Sequence, residues 1–328
     1  MIQSGDISAE SLNWISESIG VSNEEILSKG QKLRIESSQR TFFRIPFKDK
    51  SSILMVVPEG IDESIESFYT KAEIFKKANV NVPVIYFKND SLGNLIVEDF
   101  GDDVLQFYLN EKNSNKLIKL AIEQIHKIEV IKPDESIFSD FEKITENNLY
   151  LFKKFFLEEF LEVTELENLK EEIDEFYSII ISELKDHPKV INHYDYESRN
   201  LISLSEKKIG VIDFQDALIG PLGIDLASIF KDLYKKWTKE EILDWLDFYV
   251  ENSQIVKTAS LKTAEVKRMV DIASLQRQTR ILGKLSQVFL ELKRSARLKD
   301  FKTILKYLMT TSLEYDETKR YSDFFKNL

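Results

Sequence analysis

The hydrophobic period of this chain changes once, close to residue 100, and that switch restricts the possible fold more than any other feature. Before it, apolar and β-branched residues come in short runs at 31–36, 41–47, 52–57, 83–88 and 94–98, the last two joined by Asn89-Asp90-Ser91. Runs of this length and content read as strands. Pro58 and Gly60 end the third run, and a helix follows from Asp62 as N-cap to about Asn79, with Ile65, Phe68, Ala72 and Phe75 on one stripe. Short helices over 6–30, stopped at Gly20, precede the strands. After Gly101 the spacing becomes helical over 114–130, 141–162, 166–185, 239–252, 260–292 and 299–313, broken by brief extended runs at 190–192, 201–203 and 209–212. The pattern predicts an α+β chain: a strand-rich unit over 1–100, a mainly helical unit over 101–328, and a hinge at Glu98-Asp99-Phe100-Gly101.

Composition removes several kinds of chemistry. Cysteine is absent and only three histidines occur, so disulfides, thiolate nucleophiles and Cys- or His-rich zinc cages are excluded. A net charge of −11 makes a general nucleic-acid binder implausible. No apolar run approaches the ~20 residues that span a bilayer, and Gly5, Asp6 and Glu10 give the first residues no secretory-signal pattern. The expectation is a cytoplasmic globular protein acting on neither nucleic acid nor membrane. Residues 101–260 are strongly acidic and residues 261–328 basic.

The densest polar stretch lies among the short extended runs of the helical unit. It reads His193-Tyr194-Asp195-Tyr196-Glu197-Ser198-Arg199-Asn200, with Asp213 thirteen residues later at the end of Ile209-Gly210-Val211-Ile212. No Gly-x-Ser-x-Gly elbow and no paired histidines support covalent acyl transfer. An Asp, an Asn five residues on, and a second Asp at a following strand end suit a different division of labour. Amide and carboxylate oxygens hold a hard cation such as Mg²⁺, which also binds phosphate, while the remaining Asp accepts or orients a hydroxyl proton. The spacing His-x-Asp-x-x-x-x-Asn matches the kinase catalytic loop, with Tyr194 in the Arg place.

These residues resemble the aminoglycoside phosphotransferase and choline kinase-like superfamily. The likeness continues through Asp213-Phe214-Gln215-Asp216-Ala217, Gly220-Pro221 and Asp225-Leu226-Ala227-Ser228. Within it, Ser198-Arg199-Asn200-Leu201-Ile202 and the late stretch 275–283 are most similar to bacterial anomeric kinases of N-acetylmuramate and N-acetylglucosamine. The resemblance implies a bilobal protein-kinase-like fold, with a small antiparallel-sheet N-lobe carrying one helix and a large mainly helical C-lobe. It implies ATP and Mg²⁺ as cofactors. Asp195 becomes the catalytic base or hydroxyl-orienting carboxylate, and Asn200 and Asp213 the metal ligands. His193 braces the loop, and Asp225 fixes the loop or caps its own helix. Arg199 and Asp216 contact the substrate or each other. Ser38, Gln39 and Arg40, in the stretch Ser37–Thr41, take the place of the phosphate-covering loop, and the backbone of Glu98, Asp99 and Phe100 meets adenine.

Two departures accompany the likeness. No glycine lies between Gly30 and Gly60, and the third strand, Ile53-Leu54-Met55-Val56-Val57, lacks the lysine that holds nucleotide phosphates in protein kinases. Arg40 or Arg44 is the expected substitute. The resulting reading is a small-molecule kinase that phosphorylates the anomeric hydroxyl of an amino sugar in cell-wall recycling. Choline, an aminoglycoside or another alcohol as acceptor, and a nucleotide-binding pseudokinase, are the alternatives.

Overall fold

The computed structural model describes residues 2–3, 5–33, 40–58, 65–162 and 166–328. The expected N-cap Asp62, half of the first strand-like run (residues 34–36), and Ser37, Ser38 and Gln39 lie outside these residues.

Five strands form one antiparallel sheet: β1 (Gln31–Lys32), β2 (Thr41–Phe47), β3 (Lys50–Val56), β4 (Ile85–Asn89) and β5 (Asn94–Glu98), in the order β1-β2-β3-β5-β4. Its residues alternate between two apolar layers, as the two-residue period of a strand requires. Phe43, Ile45, Leu54 and Ile96 face the helices Ala9–Ile19 and Asn23–Lys29 and pack with Ile15 and Ile26. Met55, Leu95 and Val97 face the other way and join Phe68, Ala72 and Phe75 of the helix Ile65–Lys77 in the main core. A sheet covered on both faces explains why its strands read as nearly continuous apolar runs. The first amino-terminal helix stops where expected, closed by Gly20 at φ 70°, and Ser8 caps its start by accepting from Ser11 N.

The helical part is organised around Thr263–Leu292, whose segment Val270–Thr279 is almost wholly buried. Against it lie Phe141–Leu151, the π-helical turns Phe152–Phe160, Ile224–Phe230 and Phe301–Ser312. Two short sheets interrupt the helices. β6 (Ser139–Asp140), β7 (Lys189–Asn192) and β10 (Leu218–Pro221) form one, and β8 (Leu201–Ser205) with β9 (Lys208–Val211) forms a hairpin. Val104, just past the hinge stretch, pairs with Ile202 of that hairpin.

The structure corrects three boundaries. The run 260–292 is preceded by a separate short helix, Gln254–Ala259, ended by Ser260 at φ 55°. The helix expected over 141–162 turns π-helical at Phe152. β10 is a strand where only a loop motif was read.

Gly283 marks the tightest helix contact. A Cβ there would sit 2.5 Å from Phe152 N and 2.6 Å from the Leu151 carbonyl carbon, both backbone atoms. Gly283→Ala gains about 1 kcal/mol of helix propensity but must push two helices apart, at a cost of about 1–3 kcal/mol. The clash wins: urea denaturation should show a lower midpoint for the variant, and a raised midpoint would refute the close packing.

Candidate active site

The hairpin assembles the polar residues. Leu201 pairs with Val211, so Asn200 and Ile212 meet at its open end, where Ile212 N donates to Asn200 O at 3.0 Å. Asn200 is held from the other side, its Nδ2 donating to the Asp195 carbonyl at 2.8 Å. Glu197 N donates to the same carbonyl at 2.8 Å and Asn200 N to Glu197 O at 2.9 Å, closing a tight turn. Asp213 follows Ile212 directly, at φ 64°. Asp195, Asn200 and Asp213, from two segments of the sequence, are thereby brought together.

Two non-glycine residues here, Tyr194 (φ 78°) and Asp213, adopt left-handed backbone, a conformation that persists only where surroundings enforce it. Asp225 supplies that enforcement. Its carboxylate accepts from His193 N at 2.6 Å and Tyr194 N at 2.9 Å, and the His193 ring donates from Nε2 to Ile212 O at 2.9 Å. The helix of Asp225 begins after Gly223, which makes no side-chain cap. Of its two expected roles, Asp225 therefore fixes the loop. Burial pushes its carboxyl up, while His193 and the two amides oppose that shift.

Guanidinium groups surround Asp195. Arg280 reaches its Oδ1 at 2.8 Å and lies 4.0 Å over the Tyr194 ring. Glu197 is clasped by Arg277 at 2.5 Å and by Arg199 at 2.7 Å. Burial works against ionisation of Asp195, but Arg280, Arg199 and Arg277 outweigh it and hold the carboxyl well below the usual range. The Asp195 side chain keeps 24% exposure, enough to face an incoming molecule. The expected Arg199 contacts resolve into the pair with Glu197, whereas the charge of Asp216 acts on Lys71.

The donors present fit a magnesium ion. Asn200 spends its amide nitrogen on Asp195 O and leaves Oδ1 as an acceptor. Asp213 is half-buried and receives one hydrogen bond, from Gln215 Nε2 at 2.8 Å. One amide and one carboxylate oxygen suit a cation that usually retains water and phosphate ligands.

The sheet-side residues each have partners within the protein. Arg40 is buried, and its charge acts on Lys71. Arg44 is committed to acidic partners: it binds Asp99 at 2.6 Å and Asp102 at 2.7 Å, and Ser51 also donates to Asp99. That corrects its candidacy as a phosphate-binding cation, since its charge is spent at the hinge stretch. Glu98 accepts from Val84 N at 3.3 Å. With Phe100, Asn81, Lys127 and Lys208 it lines a cavity of about 370 Å³. The Phe100 ring fills the space left by the missing side chain of Gly210. The side chains of Asp99 and Phe100 are thus engaged in ion pairing and packing, and the backbone N of Glu98 donates to Val84 O at 2.8 Å.

Sequence reading missed two residues. Glu197 was visible in the polar run but had no assigned partner. Lys71 carried a clearer signal: it lies three residues after Phe68, on the apolar stripe, where a charge needs a reason. It is 6% exposed and donates to the carbonyls of Gln215 and, at 3.1 Å, Ala217.

Comparison with known proteins shows the family and the fold. Residues 29–257 match the phosphotransferase enzyme family. An N-acetylmuramate/N-acetylglucosamine kinase of Pseudomonas putida is 26% identical over 254 residues, covering 77% of this chain and 74% of that protein. Its counterpart from Neisseria meningitidis is 26% identical over 286 residues, 85% and 84% of the two chains. Among solved structures, an aminoglycoside phosphotransferase in a ternary complex with streptomycin and ATP superposes with a TM-score of 0.65 at 17% identity, over 93% of this chain and 97% of that one. At such identity the likeness shows the fold, and it is the α+β kinase-like arrangement implied by the motifs.

Proposed function

The chain belongs to the phosphotransferase enzyme family, and from that premise we propose that it transfers the γ-phosphate of ATP, with Mg²⁺, to the anomeric hydroxyl of N-acetylmuramate or N-acetylglucosamine. The observation that carries the reading is the convergence of Asp195, Asn200 and Asp213 at the open end of the β8–β9 hairpin. The names of the relatives support the choice of acceptor.

In this mechanism Asp195 accepts a hydrogen bond from the acceptor hydroxyl, orients its oxygen toward the γ-phosphorus and takes up the proton as the new bond forms, while the bond from the γ-phosphorus to the bridging oxygen breaks and ADP leaves. Its low affinity for protons makes orientation the larger contribution. Asn200 Oδ1 and the Asp213 carboxylate would hold Mg²⁺, which supplies charge neutralisation on the phosphate oxygens. Arg280, at the exposed edge of Asp195, makes this side of the site inhospitable to a quaternary ammonium and favourable to a hydroxyl- or carboxylate-bearing sugar. The backbone of 98–100 would meet adenine, and residues 1–100 and 101–328 would act as lobes about that stretch. Action in the cytoplasm, where ATP is available, follows from the same reading.

An ADP-release assay across N-acetylmuramate, N-acetylglucosamine, choline and an aminoglycoside tests it. Mg²⁺-dependent turnover with the two sugars is expected, with kcat/KM at least about 10²-fold lower for choline. Turnover confined to choline or the aminoglycoside would overturn the acceptor, and silence with every acceptor would leave a nucleotide-binding pseudokinase.

A further inference from the structure

The stretch 53–56 of β3 carries no lysine, yet a buried ammonium does reach the metal-side loop, from the helix Ile65–Lys77 instead. We propose that Lys71 is a positioning residue that locks the Asp213 loop to this helix and so presents the Asp213 carboxylate for the metal–nucleotide complex. The inference rests on the reading of Asp213 as a metal ligand.

Three contacts build the lock. Lys71 Nζ donates to the carbonyls of Gln215 and Ala217, two and four residues past Asp213. Gln215, held by its carbonyl, turns its side chain back so that Nε2 donates to Asp213 Oδ1 at 2.8 Å. Between Asp213 and Gln215, the Phe214 ring packs 4.8 Å from Phe68 and 5.5 Å from Phe75, the neighbours of Lys71 on the same helix face. One helix therefore grips the loop by two rings and one cation, on either side of the residue that connects to the carboxylate.

Stability alone does not explain a lysine here. The stripe is apolar, and a methionine would fill the position without the cost of stripping water from an ammonium. Burial does lower the Lys71 pKa, with Asp216 opposing it. The two carbonyls that Lys71 satisfies belong to a loop whose Asp213 sits in left-handed backbone, a conformation that needs outside support. Partners that orient a metal ligand without touching the metal typically control affinity 10–100-fold.

The test is a Mn²⁺ titration by electron paramagnetic resonance on the full chain with a non-hydrolysable ATP analogue, for wild type, Lys71→Met and Lys71→Arg. We expect Lys71→Met to weaken nucleotide-dependent Mn²⁺ binding by about 10-fold or more. Lys71→Arg, which keeps a cation, should recover most of the loss. In steady state the Mg²⁺ requirement should rise with the acceptor KM unchanged, a split that a general loss of stability does not produce. If Lys71→Met does not fold, Gln215→Ala cuts the same link at its next joint and should weaken Mn²⁺ in the same direction. Normal Mn²⁺ binding by a folded Lys71→Met protein, or by Gln215→Ala where Lys71→Met fails to fold, would overturn this inference alone. A wild-type protein without nucleotide-dependent Mn²⁺ binding would overturn the proposed function and the inference together.

Discussion

Asp195→Asn should lower kcat by about 10³-fold, within the range ascribed to a positioned proton acceptor, with nucleotide affinity nearly unchanged. The substitution keeps size and shape, and the loop around it is held by groups that do not involve the Asp195 side chain: Asp225 on two amides, His193 on Ile212 O, and the turn closed on the Asp195 carbonyl. What changes is the charge and acceptor capacity at Oδ1, where Arg280 now binds at 2.8 Å. An amide there no longer neutralises Arg280 and takes up no proton from the acceptor hydroxyl. Calorimetry with ATP separates folding and nucleotide binding from the chemical step, and kcat at saturating acceptor reads the loss. A decrease smaller than about tenfold would remove Asp195 from the reaction. The pH dependence points the same way. Because the guanidiniums hold Asp195 below the usual carboxylate range, its ionised form persists as pH falls past the ordinary value for Asp. Asp195 therefore adds no acid limb to kcat above about pH 4.

The site was legible wherever its chemistry lay in contiguous sequence. Asp195 and Asn200 share one turn, and Asp213 follows a strand whose partner begins right after Asn200, so a short hairpin was enough to bring all three together. Residues whose meaning depends on a distant partner were harder to read. Lys71 meets a loop 144 residues away, and Arg44 looked free because Asp99 and Asp102 lie more than fifty positions on. The fold followed the same rule. Strand and helix periods located the five-stranded sheet and the long helices, because burial on a stripe or a face writes itself into spacing. The π-helical turns at Phe152–Phe160 differ from an α-helix only in how the backbone closes, and the phenylalanine spacing of that run satisfies both. β10 has four buried residues and two neighbours far away in sequence, so nothing local marks it as a strand.

Glu197→Gln should destabilise the protein by about 3–5 kcal/mol, the usual consequence of removing one member of a buried ion cluster. Arg277 and Glu197 are 1% and 3% exposed, and the second carboxylate oxygen holds Arg199. Glutamine fills the same volume but cannot neutralise either guanidinium, so two positive groups are left facing each other with little water between them. Nearby Asp232 does not make up the difference. Its carboxyl is pushed up to about 6 by burial and by Glu197 itself, and it is already committed to the amide of Ser198. Removing the Glu197 charge would also lower the Asp232 pKa, which recovers only part of the lost stabilisation because Asp232 cannot occupy the same place. The desolvation cost of the arginines is thus unmatched, and the urea midpoint should fall with the slope unchanged. Replacing the pair by apolar residues, Glu197→Leu with Arg277→Met, should restore part of the loss, since Arg277 is then no longer left uncompensated and Arg199 alone loses its carboxylate partner. A Glu197→Gln protein within about 1 kcal/mol of wild type would mean that water reaches the cluster and screens it. Such wetting would also weaken the hold of the arginines on Asp195, so the denaturation and kinetic experiments constrain the same electrostatics from opposite ends.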